Sequence, residues 1–145
     1  MSDTATQTPT KLQLLELLAA IGTAQWREFA AAAARYGLTS TQARVLAQLD
    51  GPVPMRGLAT LLVCDASNVT GIVDRLEARE LVRREPDRAD RRVKNVVATD
   101  AGREVIRRVR EEMQAMHGAL DALDEDESAT LYALLARLRP TMEKA

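Results

Sequence analysis

Asp65-Ala66-Ser67-Asn68-Val69-Thr70-Gly71-Ile72-Val73-Asp74-Arg75-Leu76 is the stretch on which the reading of this chain turns. On a helical wheel Val69, Ile72, Val73 and Leu76 gather on one side. Ser67, Gly71, Asp74 and Ala78 lie opposite, with Thr70 and Arg75 on the shoulders. An ordinary surface helix carries Lys and Glu on its outer face, and a solvated face with no partner is the bland reading. Here the outward side of the first two turns holds only Ser, Asn, Thr and Gly. Gly71 lowers helix propensity by roughly 1 kcal/mol, which predicts that something approaches the backbone closely there. Asp65 is placed to cap this helix, residues 66–79, by accepting from the amide of Ser67 or Asn68. Asp74 either accepts from a base amino group or orients Arg75, and the second reading is preferred.

About a dozen residues further on, Pro86–Arg92 separates two β-rich runs, Leu81–Glu85 and Val93–Thr99, which predicts a two-stranded hairpin with a charged tip. Arg88, Arg91 and Arg92 crowd around Asp87 and Asp90, an arrangement of little use for stability, because exposed ion pairs contribute at most ~1 kcal/mol. An arginine held out on a loop suits the narrow minor groove of a duplex, where negative potential is strongest. Arg91 is the choice for insertion and Arg88 the runner-up. Arg92 serves as brace or phosphate contact, and Asp90 braces a neighbouring arginine. A small-residue helix for a major groove about 12 Å wide beside an arginine tip for the minor groove reads as a binder of double-stranded DNA. Ser67, Asn68, Thr70, Gly71 and Arg75 are its candidate helix contacts, and Arg88, Asp90, Arg91 and Arg92 its candidate tip contacts.

Composition narrows the field. The 145 residues suffice for one domain with a helical extension. A net charge of −1 conceals a separation. Residues 83–94 hold Arg83, Arg84, Arg88, Arg91, Arg92 and Lys94, whereas residues 111–127 hold seven carboxylates and no Lys or Arg. A local positive face is what phosphate attraction needs. Aromatics at 3% argue against stacking on single strands. The single cysteine, Cys64, excludes an internal disulfide, and with one histidine, His117, no Cys/His metal cluster forms. No cofactor or metal is expected. No apolar run reaches membrane-spanning length. Leu12–Ala24 is interrupted by Glu16 and lacks a basic lead, so it reads as helix rather than signal peptide, and a reduced cytoplasm is expected. An enzyme is disfavoured for want of a nucleophile–base pair, a metal cluster or a glycine-rich phosphate loop. A protein-binding adaptor is the remaining alternative.

Along the chain, residues 1–8 read as a disordered tail. Thr8 caps a first helix with Pro9 at its first position. That helix runs to about Tyr36, with Leu14, Leu18, Ile21, Gln25 and Phe29 on one stripe and Gly37 as its stop. Thr39 or Ser40 caps a second helix to Leu49. Val53-Pro54 is extended, and Met55–Leu62 forms a third helix. After the hairpin a fifth helix spans Asp100 to about Leu123. Asp124 caps a sixth, ending near Pro140. The order is α-α-α-α-β-β-α-α, mainly α with a small β-hairpin.

Leu38-Thr39-x-x-Gln42-x-x-Val45-Leu46, Asn68 to Arg79, Asp90-Arg91-Arg92-Val93-Lys94 and Thr99-Asp100-Ala101-Gly102 strongly resemble the MarR family of winged-helix transcriptional regulators. The resemblance spans roughly residues 10–140. It implies a winged helix-turn-helix DNA-binding domain over 37–99 and a helical dimerisation region over 9–36 and 100–145. It also implies a homodimer bound to a pseudo-palindromic operator, usually as a repressor. Three positions depart from the family pattern. Gly71 stands where many members have Arg, Glu80 where a helix-ending Gly is common, and Ala98 where a larger strand residue is usual.

Independently, Val109, Met113, Met116, Leu120 and Leu123 alternate four- and three-residue steps, a coiled-coil-like seam for a second subunit or for packing within one. Family members often bind small aromatic acids or sense oxidants. Trp26, Arg27, Tyr36 and Arg44 can line an anion-accepting cavity for an aromatic or anionic effector, with Trp26 as plain core the alternative. Cys64 reads as a buried structural thiol rather than a sensor, and His117 as a solvated histidine.

Overall fold

The computed structural model describes residues 8–62 and 66–142, with the side chains of residues 66–67 and 140–142 outside the description. The expected cap at Asp65, the thiol of Cys64, the side chain of Ser67 and nearly all of the expected tail lie outside the described residues. Two compact units divide between Glu112 and Met113.

The first unit opens with α1, Lys11–Arg35. Its cap is Thr10 rather than Thr8, because Gln13 three residues on completes a reciprocal capping box with Thr10. α1 ends at Tyr36 and Gly37, where φ of +67° turns the chain and Leu38 N–H reaches back to the Ala33 carbonyl. Thr39 then caps α2, Ser40–Ala47, through a second such box with Gln42. β1 (Val53–Pro54), α3 (Met55–Leu62) and α4 (Ala66–Ala78) follow. Glu80 adopts φ of +58° where glycine is the easier residue, a strain of about 1–2 kcal/mol. Thr99 Oγ1 donates to the Glu80 carbonyl and helps hold this turn.

β2 (Val82–Pro86) and β3 (Lys94–Ala98) form the expected hairpin, and β1 joins them as a third antiparallel strand in the order β1-β3-β2. Val96 lies opposite both Val53 and Arg84. β3 is therefore central, and Asn95 through Ala98 are buried. Ala98 is among them, 2% exposed, and nothing in the structure explains why it is small. Thr99 caps α5, Asp100–Glu111. Gly102 is required there, since a Cβ would lie 2.0 Å from the Leu81 carbonyl oxygen. Leu46, Leu58, Val69, Leu76, Val96 and Val109, fully buried, form the centre of this unit. The result is the mainly helical architecture with a small antiparallel sheet that the winged-helix resemblance implies.

The second unit contains α6 (Gln114–Asp121) and α7 (Glu125–Met142). The single fifth helix expected to Leu123 is thus two helices. Glu112 ends α5 with its carboxylate taken by Arg35 and Tyr36, and Met113 leaves helical backbone angles (φ −78°, ψ 62°). The five-residue seam is interrupted at that point. Asp124 caps the last helix as expected, paired reciprocally with Glu127, but α7 continues past Pro140. Among the described residues no helix is long and apolar enough to cross a membrane.

Candidate nucleic-acid interface

α4 presents the two faces that its sequence periodicity predicts. Val69, Ile72, Val73 and Leu76 are buried, while Asn68, Thr70 and Arg75 are exposed. Gly71 is half-buried, yet a Cβ built on it would meet nothing within 4 Å. Packing within the chain therefore does not require glycine there. Ser67 lies on the helix backbone, its side chain outside the description.

Asp74 does not orient Arg75. It accepts from Arg84 Nη2 at 2.6 Å, across from the helix to strand β2. Arg84 Nη1 donates to Glu77 Oε1 at 2.8 Å, and the Arg84 backbone N–H donates to Glu77 Oε2 at 3.1 Å. The shorter i,i+1 separation of Asp74 and Arg75 places them on different sides of the helix, whereas β2 brings Arg84 against the helix flank. The Asp74 carboxylate, with Glu77 beside it, holds the Arg84 guanidinium above its ordinary range. At the far end of α4, Arg79 donates to the carbonyls of Tyr36 and Gly37 at 3.0 and 2.8 Å. Arg84 fastens the helix to the hairpin and Arg79 fastens it to the turn after α1.

The hairpin tip, which we call the wing, is built around Asp87. Its Oδ2 accepts the backbone N–H groups of Ala89 and Asp90, and its Oδ1 accepts Asn95 Nδ2 at 2.9 Å. The loop closes through Asp87 N–H to the Val93 carbonyl and Val93 N–H to the Asp90 carbonyl, each 2.9 Å. These donors, Asn95 foremost, hold the Asp87 carboxyl below the usual carboxylate range. Asp90 braces Arg92 as one of the expected alternatives has it. Its two oxygens accept Arg92 Nε and Nη2, and Oδ1 also accepts the Arg92 backbone N–H. That contact lowers the Asp90 carboxyl likewise. Arg88 and Arg91 are exposed and carry no ion pair among the described residues.

Of the residues expected to line an effector cavity, Trp26 and Arg44 come together. The Arg44 guanidinium carbon sits 5.3 Å from the Trp26 ring centroid, and Phe29 stacks 5.8 Å from that ring. Arg27 is exposed. Tyr36 is engaged elsewhere, its hydroxyl donating to Glu112, which also accepts Arg35 Nη1. The Tyr36 hydroxyl, with Arg35 after it, lowers the Glu112 carboxyl.

Arg84, Asp87, Asn95 and Arg79 escaped the sequence reading as organisers of this surface. Asp87 carried a usable signal, an Asp at the start of a turn whose side chain accepts from the backbone two and three residues on. The others depend on contacts between elements that no local spacing reveals.

The sequence profile of the MarR family matches residues 38–94. Among solved structures, the chain is similar to the transcriptional regulator Tm0710 from Thermotoga maritima. The identity is 31% over 92% of this chain and 96% of that one, with a TM-score of 0.67. It is similar to MarR from E. coli at 25% identity over 86% and 95% of the two chains, with a TM-score of 0.69. It is also similar to CouR from Rhodococcus jostii RHA1, solved bound to p-coumaroyl-CoA, at 29% identity over 88% and 87%, with a TM-score of 0.65. No curated protein matches the chain.

Proposed function

Because the chain belongs to the MarR family of DNA-binding transcriptional regulators, we propose that it binds a pseudo-palindromic double-stranded operator as a homodimer and acts there as a repressor. Helix 66–79 enters the major groove with Ser67, Asn68, Thr70, Gly71 and Arg75 toward the bases and phosphates. Wing 86–93 enters the adjoining minor groove with Arg91 at its tip, Arg88 beside it, and Arg92 braced by Asp90.

The observation that carries this reading is the division of α4: four apolar side chains buried, three polar ones open to solvent, and space above Gly71. A helix so anchored offers a narrow outer surface to a groove. The homodimer draws on residues 9–36 and 100–145. In support, α1 exposes Leu14, Leu18 and Ile21, and α7 exposes Leu131, Leu134, Leu135 and Leu138. Apolar faces of this extent mark association surfaces. Two copies of α4 about 34–36 Å apart then meet successive major grooves.

A small aromatic or anionic effector acts through Trp26 and Arg44, and reaches Tyr36 only by displacing its hydroxyl from Glu112. The cation already lying over the Trp26 ring supports this, since it offers charge and an aromatic face together. Such an effector releases DNA through its different affinities for the binding and non-binding spacings of the two helices. The proposed place of action is the cytoplasm.

Selection from random duplexes at physiological salt tests the reading, with an inverted repeat as the expected product. Failure to enrich any repeat would move the adaptor reading ahead, and a monomer in sedimentation would remove the homodimer.

A further inference from the structure

A cationic groove of about 270 Å³ lies at the base of the wing, sharing Arg92 and Val93 with the wing and adding residues not assigned above, lined by Pro54, Met55, Arg56, Arg92, Val93 and Lys94. Its construction follows from the strand register. Pro54 pairs with Asn95 in antiparallel β1 and β3. The chain leaving β1 into α3 and the chain entering β3 therefore emerge at the same end of the pair. Arg56, in the first turn of α3, and Lys94, the first residue of β3, are set beside each other by backbone pairing. Both are exposed, and neither has a carboxylate partner among the described residues. Arg92 adds a third cation, with Asp90 holding Nε and Nη2 and leaving Nη1 unengaged.

Three cations and no carboxylate line this groove. A neighbouring groove of about 450 Å³ shares Pro54 but sets Glu85 and Asp87 against the single cation Arg88. The charge of the first groove suits an anion threaded between α3 and the wing, and that of the second does not.

We propose that Arg56 and Lys94, with Arg92, form a phosphate clamp for the DNA backbone strand running between the major groove entered by α4 and the minor groove entered by the wing. The inference rests on the operator-binding reading. Lys94 supplies a point charge and Arg56 a planar fork of donors, both suited to phosphate oxygens. Contacts of this kind position the protein and carry no sequence information.

The test measures the salt dependence of duplex binding for the full chain and for Arg56→Gln, Lys94→Gln and Arg56→Lys. Each neutral variant removes about one phosphate contact per subunit, so the slope of log K against log salt should become shallower by about two in a dimer. Affinity should fall roughly tenfold at physiological salt, equally on the selected repeat and on a scrambled duplex. Arg56→Lys should keep the wild-type slope, and unchanged thermal melting would show that the fold is intact. Unchanged slopes in both neutral variants, with normal wild-type binding, would overturn this inference alone. Wild-type protein that binds no duplex would overturn the operator reading together with it. Binding of inorganic phosphate that is lost in Arg56→Gln and Lys94→Gln while their duplex affinity stays at the wild-type value would assign the groove to a free anion and overturn the clamp.

Discussion

α4 and the wing stand side by side and are held by opposite means. α4 is anchored chiefly by burial: Val69, Val73 and Leu76 have no solvent exposure, and Arg84 and Arg79 fasten its flank and its end. The wing tip has no apolar core. Its shape comes from the carboxylates of Asp87 and Asp90, which together accept six hydrogen bonds within the hairpin. The difference bears on what each can carry. A helix fixed from behind by packing can afford small neutral groups on its front, the kind suited to discriminating base edges. A loop fixed by polar contacts is rich in charge, the kind suited to phosphates and to a negative groove. Arg84 joins the two by bonding Asp74 and Glu77 of α4 from strand β2.

The largest expected effect tests the first half of this contrast. Leu76→Ala removes a fully buried side chain and should lower unfolding free energy by about 3 kcal/mol, measured by denaturant titration. Truncating Asp87 should leave that free energy nearly unchanged, and equal losses from the two would break the distinction. Next in size is Asn68→Ala on the outer face of α4. It should cost about 1–3 kcal/mol in affinity for the selected repeat, with little change on scrambled duplex and none in melting. A loss that is uniform across sequences would mean that α4 positions the protein rather than reading bases.

The same contrast explains what could be read from the chain beforehand. Burial leaves a periodic record, so the two faces of α4, the caps at Thr39 and Asp124 and the hairpin were all legible from spacing. Glu80 stands where a helix-ending Gly is common in the family, and of the two outcomes open there, a left-handed residue or a shifted helix end, it takes the first, with φ of +58°. Polar fastening leaves no such record. Asp74 was given to its neighbour Arg75, whereas its partner is Arg84, ten residues away and brought near by the hairpin. The joining of β1 to β3 was missed because two residues carry too short a pattern to announce pairing. The break at Glu112–Met113 was hidden beneath an apolar repeat that runs straight through it. It coincides with the bonding of Glu112 to Tyr36 and Arg35, more than seventy residues earlier.

The wing is the more sensitive half to charge. Arg91→Ala removes an exposed guanidinium with no ion pair among the described residues, so melting should not change. Operator affinity should fall about tenfold at physiological salt, with a shallower salt slope. The loss should be concentrated on operators with AT-rich flanks, where the minor groove is narrow. An equal loss on GC-rich flanks would assign Arg91 to a phosphate instead.

The smallest effect separates how the wing is held from what it touches. Asp87 and Asp90 have depressed carboxyl pKa values in the folded protein, Asp87 through Asn95 and two backbone donors, Asp90 through Arg92. A depressed folded value means that the ionised form is favoured by folding. The stabilisation is therefore fully present above the ordinary carboxyl value of 3.8 and is lost as pH falls through the lower folded values. Wing order should stay constant from neutral pH down to about 4, then fail as the backbone N–H groups of Ala89 and Asp90 lose their acceptor. Asp87→Asn should reproduce part of that failure at pH 7. The new amide can still accept from one side, but its NH₂ meets the NH₂ of Asn95 where a carboxylate oxygen stood. Amide exchange at Ala89 and Asp90 should quicken, exchange within α4 should not, and operator affinity should fall a few-fold. If α4 amides quicken equally, the wing and the helix share one cooperative support, and the separation between packed and polar anchoring is wrong.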